Sequence, residues 1–370
     1  MTVSPVSSGQ SERGALHEIL RDIVVCPYCV KEDLEFFPVA GTGGEEAILY
    51  CSVCNRWYPV RNCILCILPD HLRPESDGAW IERRKAALPS HIRDRLQNET
   101  GKRHGGGDAV TREKRKEMSV RDEQAREYEK LKKAHRIEIE LAAIHREIGS
   151  MKDRVVFDIG CGVGKFVKRY APVYNWLVGI DFSYESLLLL KRDIEKRKPD
   201  NIVLMQADAC FLPVRDNVAD LVISSQVFQH LPGDRQRNDF LDGIYRITKE
   251  NGSIAMTVYN HSYEIRRAIA NGTSPEIRAK EGLHSNGKIF YHCFDHDELT
   301  ALLEPQFQLN ALYGLINQIP KVSYKMEGSR FYLVFDRILQ RIPLSKKFGL
   351  LLMASFKKKH EGTNRLESPS

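Results

Sequence analysis

Three acidic residues follow three short apolar runs, and the first of them precedes a glycine turn. Asp158 stands two residues before Gly160, in the order D-x-G-x-G-x-G that ends at Gly164. A dinucleotide fingerprint, G-x-G-x-x-G, would require glycine at position 165, where this chain has lysine. A carboxylate repels a pyrophosphate but attracts an ammonium group. The spacing therefore favours a cofactor that carries an amino acid over one that carries a diphosphate.

The other two acids end the next two apolar runs along the chain. Asp181 closes the run 177–181, and Asp208 follows the run 202–207. An acid about one strand–helix unit beyond a glycine turn is placed to bind ribose hydroxyls. A single aspartate of this kind is more often a helix cap or a surface group, but three at successive strand ends indicate one site.

These motifs resemble the class I S-adenosylmethionine-dependent methyltransferases, and among them the type 11 family, which includes quinone-biosynthesis enzymes. The resemblance implies an α/β fold with a Rossmann-like seven-stranded sheet and helices on both faces. It also implies that S-adenosylmethionine is the cofactor. The residues that the resemblance assigns to cofactor binding are Asp158, Gly160, Cys161, Gly162, Gly164, Asp181, Phe182, Asp208, Ala209, Gln226 and Tyr128.

The resemblance gives some of these residues specific roles. Asp208 would accept a hydrogen bond from the adenine amino group, and the next backbone N–H, that of Ala209, would contact a ring nitrogen. Tyr128 is the candidate for an aromatic cover over the methionine end of the cofactor, with simple packing as the alternative. The family's Leu-Lys-Pro-Gly-Gly turn is altered, because Glu250 and Asn251 replace its proline and first glycine. Asparagine tolerates the positive φ expected there.

Four of the nine cysteines form two C-x2-C pairs with 21 residues between them. Two such knuckles supply four thiolates around a tetrahedral Zn²⁺, and the alternatives are two disulfides or four ordinary thiols. The odd cysteine count and the lack of an export signal argue against disulfides. The segment 23–73 resembles the zinc ribbon of the small activator subunit of tRNA and protein methyltransferases. The predicted structural zinc ligands are Cys26, Cys29, Cys51 and Cys54.

A further pair, Cys63 and Cys66, is predicted not to bind metal. The segment 62–68 has the composition of a strand, in which residues three apart point to opposite faces. Both thiols are therefore expected to be small buried side chains.

Length limits the number of domains in the chain, and charge limits the kinds of partner that it binds. Its 370 residues allow two or three domains, and a net charge of +6 is too mild to indicate nucleic acid. The sequence has no apolar run of transmembrane length and no signal peptide, so a cytoplasmic location is expected. The predicted order is a flexible N-terminus 1–20, a β zinc-ribbon domain 21–73, a helical connector 74–150, a methyltransferase domain 151–357 and a flexible tail 358–370.

The connector is predicted to be helical and to pack on the methyltransferase domain. The dense mixed charge of 111–135 favours a solvated helix over a nucleic-acid patch. Ile137, Leu141, Ile144 and Ile148 follow at helical spacing and would form one packing face.

The sequence contains less information about the methyl acceptor than about the cofactor. Transfer from a sulfonium depends chiefly on positioning, and a base helps only if the acceptor must lose a proton. His230, after the fourth strand, is the candidate base or substrate contact, with a structural role as the alternative. The apolar and basic segment 329–344 is a helix over the sheet, a wall for a lipid-like or aromatic acceptor, or a weak membrane-surface contact. The candidate substrate contacts are Tyr259, His261, Tyr291 and His292.

The leading functional hypothesis is a methyltransferase that acts on an oxygen or nitrogen atom of a small or medium-sized metabolite. The alternative is a tRNA- or RNA-modifying methyltransferase with a built-in activator-like zinc ribbon. The segment from Tyr291 to Leu299 resembles one in wobble-uridine tRNA methyltransferases, whose activator partner bears the same type of zinc ribbon, and also one in type 11 enzymes that act on small molecules. A third hypothesis is a non-catalytic binding or activator protein. The intact acids Asp158, Asp181 and Asp208 argue against a loss of cofactor binding.

Overall fold

A computed structural model describes most of the chain. The described residues are 22–30, 34–97, 109–131, 134–150, 152–170, 175–196, 201–270, 272, 280–284, 287–318, 329–343 and 345–359. They divide into two compact units. Unit 1 comprises Met1–Glu129 and Gly160–Arg215, and unit 2 comprises Lys130–Ile159 and Asp216–Ser370.

Strands and helices alternate from residue 155 onward, whereas the N-terminal part has four strands in succession. The strands are β1 (Leu34–Pro38), β2 (Ala47–Cys51), β3 (Trp57–Arg61), β4 (Ile64–Cys66), β5 (Val155–Ile159), β6 (Trp176–Asp181), β7 (Ile202–Gln206), β8 (Ala219–Ser225), β9 (Thr248–Tyr259), β10 (Glu281–His284), β11 (Ile289–His292), β12 (Phe307–Asn317) and β13 (Gly349–Lys358). The α-helices are α1 (Ser76–Arg84), α2 (Ser90–Gln97), α3 (Ala109–Leu131), α4 (Ala134–Ile148), α5 (Lys165–Tyr170), α6 (Tyr184–Glu195), α7 (Gly233–Ile247), α8 (His261–Ala270), α9 (His296–Leu303), α10 (Arg330–Leu339) and α11 (Ser345–Phe348). Short 3-10 helices cover Asp70–Leu72, Lys85–Ala87 and Phe228–His230.

Unit 1 contains a sheet in the order β1-β2-β3-β4-β7-β6. Strands β1 to β4 pair antiparallel, each with the next along the chain. Strand β4 then pairs in parallel with β7, with Ile64 opposite Leu204 and Cys66 opposite Gln206. The N-terminal ribbon of unit 1 therefore continues the parallel pair β7–β6 instead of forming a separate sheet.

Unit 2 contains a sheet in the order β5-β8-β9-β13-β12. Strands β5, β8 and β9 are parallel. Strands β5 and β8 are almost wholly buried, and β9 is buried from Ile254 to Val258. Strand β13 runs antiparallel to both β9 and β12. Helix α4 packs on β9, β12 and β13 through its apolar face, which includes the buried Leu141, Ile144 and Ile148. This confirms the predicted packing face of the connector.

The α/β Rossmann-like class is confirmed. Strands β6 and β7 of unit 1 and β5, β8, β9, β12 and β13 of unit 2 are the seven strands of the predicted fold, and β1 to β4 form the predicted N-terminal β element. None of the described helices has the length and apolarity needed to cross a bilayer. The boundaries proposed for the domains stay a prediction.

Two local predictions are wrong. The expected strand 62–68 is shortened to β4, because Asn62 (φ 50°) and Cys63 (φ 56°) form a left-handed turn before it. The turn expected at Asn251 with positive φ is also absent, since β9 begins at Thr248 and runs through this residue. Gly252 is needed there because a Cβ atom would lie 2.9 Å from the carbonyl oxygen of Ala219.

Candidate cofactor site and metal centre

The glycine turn of unit 1 lies against the end of β6. Gly160, Gly162 and Gly164 have φ values of 74°, 54° and 79°, which residues other than glycine rarely adopt. The N–H of Gly162 donates a 2.8 Å hydrogen bond to Oδ2 of Asp181. The turn therefore leads into α5 with its backbone held close to the predicted ribose acid.

Asp181 joins the glycine turn to the start of α6. Its Oδ1 accepts a 2.9 Å bond from the N–H of Ser183, the N-cap of that helix, while its Oδ2 accepts from Gly162. Burial raises the pKa of Asp181, and these two N–H groups partly offset that effect. Phe182, the next residue, is half-buried, and its carbonyl accepts from the Gln206 side chain at 3.0 Å. A single carboxylate thus fixes two neighbouring backbone segments.

Asp208 follows β7 and forms an ion pair that the sequence did not reveal. Its Oδ1 accepts from the N–H of Cys210 at 3.0 Å, and its Oδ2 lies 2.7 Å from Nζ of Lys114 on α3. The two paired side chains are 8% and 13% exposed. Burial lowers the pKa of Lys114, but the charges and hydrogen bonds of Asp208 and Cys210 together outweigh burial and raise it. Ala209, predicted to contact the adenine ring, is half-buried beside this pair.

Helix α3 brings further charged side chains to the same part of unit 1. Glu117 pairs with Arg121 at 3.2 Å, and burial raises the pKa of Glu117, with the charge of Asp181 among the groups that add to the rise. Oδ1 of Asp122 accepts from Oγ of Ser183 at 2.6 Å. The expectation of a solvated helix fails on this face. The sequence feature that indicates this charged face is the spacing 114, 117, 121, which places three charged residues on one side of a helix.

Replacing Lys114 by methionine should lower the free energy of unfolding by about 2 kcal/mol, because the buried carboxylate of Asp208 would lose its cationic partner. Urea denaturation followed by far-UV circular dichroism measures this change. Lys116→Met, at an exposed position of the same helix, is the matched control and should change stability little. An equal loss in both variants would contradict a specific role for the pair.

In unit 2, Gln226 is held by a buried glutamate at the ends of β8 and β9. The residue has φ 59°, which is uncommon outside glycine. Its Nε2 lies 3.0 Å from Oε2 of Glu140, whose Oε1 also accepts from Ser225 Oγ at 2.5 Å and Thr257 Oγ1 at 2.6 Å. Glu140 is 2% exposed and lies within α4, whose apolar spacing does not predict a buried carboxylate. Asp158, also of unit 2, is equally buried within β5.

Three candidate acceptor residues come together in unit 2. His230 Nδ1 lies 2.7 Å from the carbonyl oxygen of Phe290 on β11. Because a carbonyl can only accept, Nδ1 carries the proton and Nε2 has the lone pair in the neutral ring. The rings of His230 and Tyr259 meet edge-on at 6.0 Å, and those of Tyr259 and Tyr291 at 6.2 Å. His284, which stacks on Tyr291 at 4.0 Å, was not among the predicted residues.

The other predicted acceptor residues have different surroundings. His292 is buried, with Nε2 2.7 Å from Glu298 and Nδ1 3.1 Å from Glu281, so its contacts are those of a structural residue. His261 begins α8, and its N–H donates to the Phe294 carbonyl at 2.9 Å. Tyr128 belongs to α3, but its side chain lies outside the described residues.

Four thiols converge in the ribbon. The sulfur atoms of the four predicted zinc ligands lie within 4.8 Å of one another, and the pairs Cys26–Cys54 and Cys29–Cys51 are 3.4 Å apart. Tetrahedral Zn²⁺ with Zn–S bonds of about 2.3 Å needs sulfurs roughly 3.8 Å apart. The donor set and its spacing therefore fit zinc. Within the described part of the chain no other histidine, cysteine or acidic group forms such a cluster.

The first zinc knuckle also contacts the loop that follows Asp208. The N–H of Val25 donates to the carbonyl of Pro213 at 3.1 Å. The ring of Tyr28 meets that of Phe211 edge-on at 5.1 Å. Together with the pairing of β4 and β7, these contacts show that the ribbon touches the chain both before and after the predicted adenine acid Asp208.

The region of the chain that contains the glycine turn is similar to known proteins. Residues 157–256 match a family model described as a methyltransferase domain. A protein of Encephalitozoon cuniculi (strain GB-M1) with a provisional methyltransferase name is 27% identical over 154 residues, 41% of this chain and 68% of the relative. The tRNA (carboxymethyluridine(34)-5-O)-methyltransferase of Arabidopsis thaliana is 30% identical over 105 residues, 28% of this chain and 24% of that enzyme.

Among solved structures, similarity extends to a complex of the Haloferax volcanii Trm112 methyltransferase activator with a provisionally named methyltransferase. The TM-score is 0.45 and the identity 17%, over 66% of this chain and 96% of that chain.

The matched domain, the glycine turn and the acids at the strand ends define an S-adenosylmethionine-dependent methyltransferase. The family model matches 100 of the chain's 370 residues. The predicted enzyme class and cofactor are thereby confirmed, while the chain spans as little as a quarter of some relatives that it matches.

Proposed function

We propose that this methyltransferase modifies an oxygen or nitrogen atom of a small or medium-sized metabolite. The observation that carries the proposal is the β10–β11 hairpin of unit 2, which lies over the loop after β8. Phe290 binds His230 through its carbonyl, and Tyr291 packs against Tyr259 at the end of β9. Because the hairpin covers the loop after β8, the acceptor site suits a compact acceptor better than a folded nucleic acid.

The residues of unit 2 supply the acceptor site with a base and hold the loop that carries this base in one conformation. S-adenosylmethionine supplies a methyl group on a sulfonium, whose departure as a neutral thioether needs no acid. Nε2 of His230 can take a proton from a hydroxyl acceptor, since Nδ1 is committed to Phe290. Glu140 holds Gln226 in its left-handed conformation and so fixes the start of the loop that presents His230.

The second candidate is modification of tRNA. It is favoured by the cysteine cluster within a ribbon that continues the β7 edge, and by a relative named as a tRNA (carboxymethyluridine(34)-5-O)-methyltransferase. The third hypothesis, a non-catalytic binding protein, is disfavoured because Asp181 and Asp208 both lie in ordered hydrogen-bond networks. We place the protein in the cytoplasm, also as a proposal.

A transfer assay with S-adenosylmethionine labelled in its methyl group tests the proposal. The full chain is incubated separately with a nuclease-treated metabolite extract and with purified total RNA. Label in a small-molecule fraction, absent with Asp181→Ala, supports the metabolite acceptor. Label that enters RNA and is released by nuclease would replace it with the tRNA alternative.

Replacing His230 by alanine should lower kcat about 100-fold for a hydroxyl acceptor, because the base that removes its proton is lost. The affinity for S-adenosylmethionine should stay near that of the parent chain. The parent kcat should fall at acid pH as the imidazole is protonated, and this limb should disappear in the variant. An unchanged pH profile with a raised KM would assign His230 to acceptor binding.

A further inference from the structure

Helix α10 of unit 2 presents a row of exposed apolar side chains that continues into the following turn. Phe331 is 78% exposed, Val334 61%, Ile338 57% and Ile342 43%. Their spacing places them on one side of the helix. Single exposed apolar residues are ordinary on protein surfaces, but a continuous row of four marks a contact surface.

The orientation of this row is fixed by the opposite side of α10. Tyr332, Asp336 and Gln340 are buried. The hydroxyl of Tyr332 donates to the carbonyl of Asn317 at 3.0 Å, and Oδ1 of Asp336 accepts from the Asn317 N–H at 2.5 Å. Arg146 of α4 donates to Gln340 at 2.9 Å. The apolar row therefore points away from the sheet because polar anchors hold the other side against it.

Basic side chains border the apolar row. Arg330, Arg337 and Arg341 are exposed, and at 100° per residue they lie together along one edge of it. Asp336 is the one carboxylate between 329 and 343, and it faces the interior. An apolar stripe beside cationic side chains complements a surface that is apolar below and anionic above, as lipid bilayers with acidic headgroups are.

The position of α10 relates this surface to the acceptor edge of unit 2. Asn317, which ends β12, lies opposite Gly349, and Leu351 of the same strand β13 lies opposite Tyr259. Helix α10 is thus anchored at the edge of the sheet where β9 ends. Two further exposed apolar residues, Ile269 (57%) and Leu283 (59%), belong to α8 and β10, which also follow that edge.

We propose that α10 docks the protein on the surface of an anionic lipid bilayer. The apolar row enters the boundary between headgroups and acyl chains, and the three arginines lie among the lipid phosphates. The edge of unit 2 that carries His230 and Tyr259 then faces the bilayer. This proposal concerns a surface of α10 and does not depend on the identity of the methyl acceptor.

Vesicle flotation of the full chain tests the proposal. Wild-type protein should float with vesicles of phosphatidylcholine containing 30% phosphatidylglycerol and bind on the order of 100-fold more weakly to phosphatidylcholine alone, given three arginines at about fivefold each. The variant Phe331→Ser/Ile338→Ser should lose at least tenfold in affinity for the anionic vesicles. Arg337→Glu/Arg341→Glu should lose the preference for anionic lipid.

Val53→Ser, at a 52% exposed apolar position of the ribbon, is the matched control and should bind vesicles as the parent does. Thermal melts and S-adenosylmethionine binding verify that every variant is folded. Failure of the parent chain to float at low salt, or equal flotation of Phe331→Ser/Ile338→Ser, overturns the proposal. A dimer in light scattering that the same variant dissociates, without any vesicle binding, assigns the surface to a second copy instead.

Discussion

Alanine at position 181 should weaken S-adenosylmethionine binding on the order of 1,000-fold. The carboxylate of Asp181 accepts two backbone hydrogen bonds, from Gly162 and Ser183, at 2.8 and 2.9 Å. Hydrogen bonds to a charged group contribute about 1.5–3 kcal/mol each, and losing both releases the glycine turn and the start of α6 together. The variant also lacks the acid assigned to the ribose hydroxyls. Isothermal titration calorimetry measures the change directly.

The control for this experiment is another aspartate of the same unit. Asp193 on α6 forms surface ion pairs with Lys168 and Lys196. Burial raises the pKa of its carboxyl, but the hydrogen bonds and charges of these two lysines together outweigh burial and lower it. Asp193→Ala should leave cofactor affinity within about twofold, because exposed pairs contribute little. Equal affinities of Asp181→Ala and the parent chain would remove Asp181 from the cofactor site.

The parts of the fold that the sequence predicts well are those governed by local pattern. Apolar runs that end in Asp181 and Asp208 are strands, and Ser183 caps the next helix as its position suggests. The four thiols converge because C-x2-C knuckles are local structures whose spacing fixes the geometry. In each case a few neighbouring residues contain the information.

The contacts that the sequence does not reveal join distant segments. Lys114 and Asp208 are 94 residues apart, and Glu140 and Thr257 are 117 apart. A charged residue in a helix is expected to face water unless a partner is known, and that partner depends on tertiary packing. The parallel pairing of β4 with β7 is equally non-local, since a three-residue strand has no sequence feature that selects its neighbour.

Loss of two zinc ligands should have the largest effect on stability. The double variant Cys26→Ser/Cys51→Ser removes half of the thiolates, so the zinc content should fall from one ion per chain to none. A structural zinc site contributes about 10–16 kcal/mol of binding free energy, which equals or exceeds the stability of a typical domain. The ribbon β1–β4 should therefore unfold, and proteases should cleave it. Atomic absorption and limited proteolysis measure these two outcomes.

The damage should extend to the cofactor site of unit 1. Strand β4 pairs with β7, and Tyr28 and Val25 contact the loop 211–213 that follows Asp208. An unfolded ribbon exposes the β7 edge and frees that loop, so affinity for S-adenosylmethionine should fall about tenfold, which corresponds to roughly 1.4 kcal/mol. Cys63→Ser, at a thiol outside the cluster, should keep both zinc and affinity. Zinc retained by the double variant would assign the metal to other ligands. Unchanged cofactor affinity in a chain whose ribbon is cleaved would show that the metal centre and the cofactor site are independent.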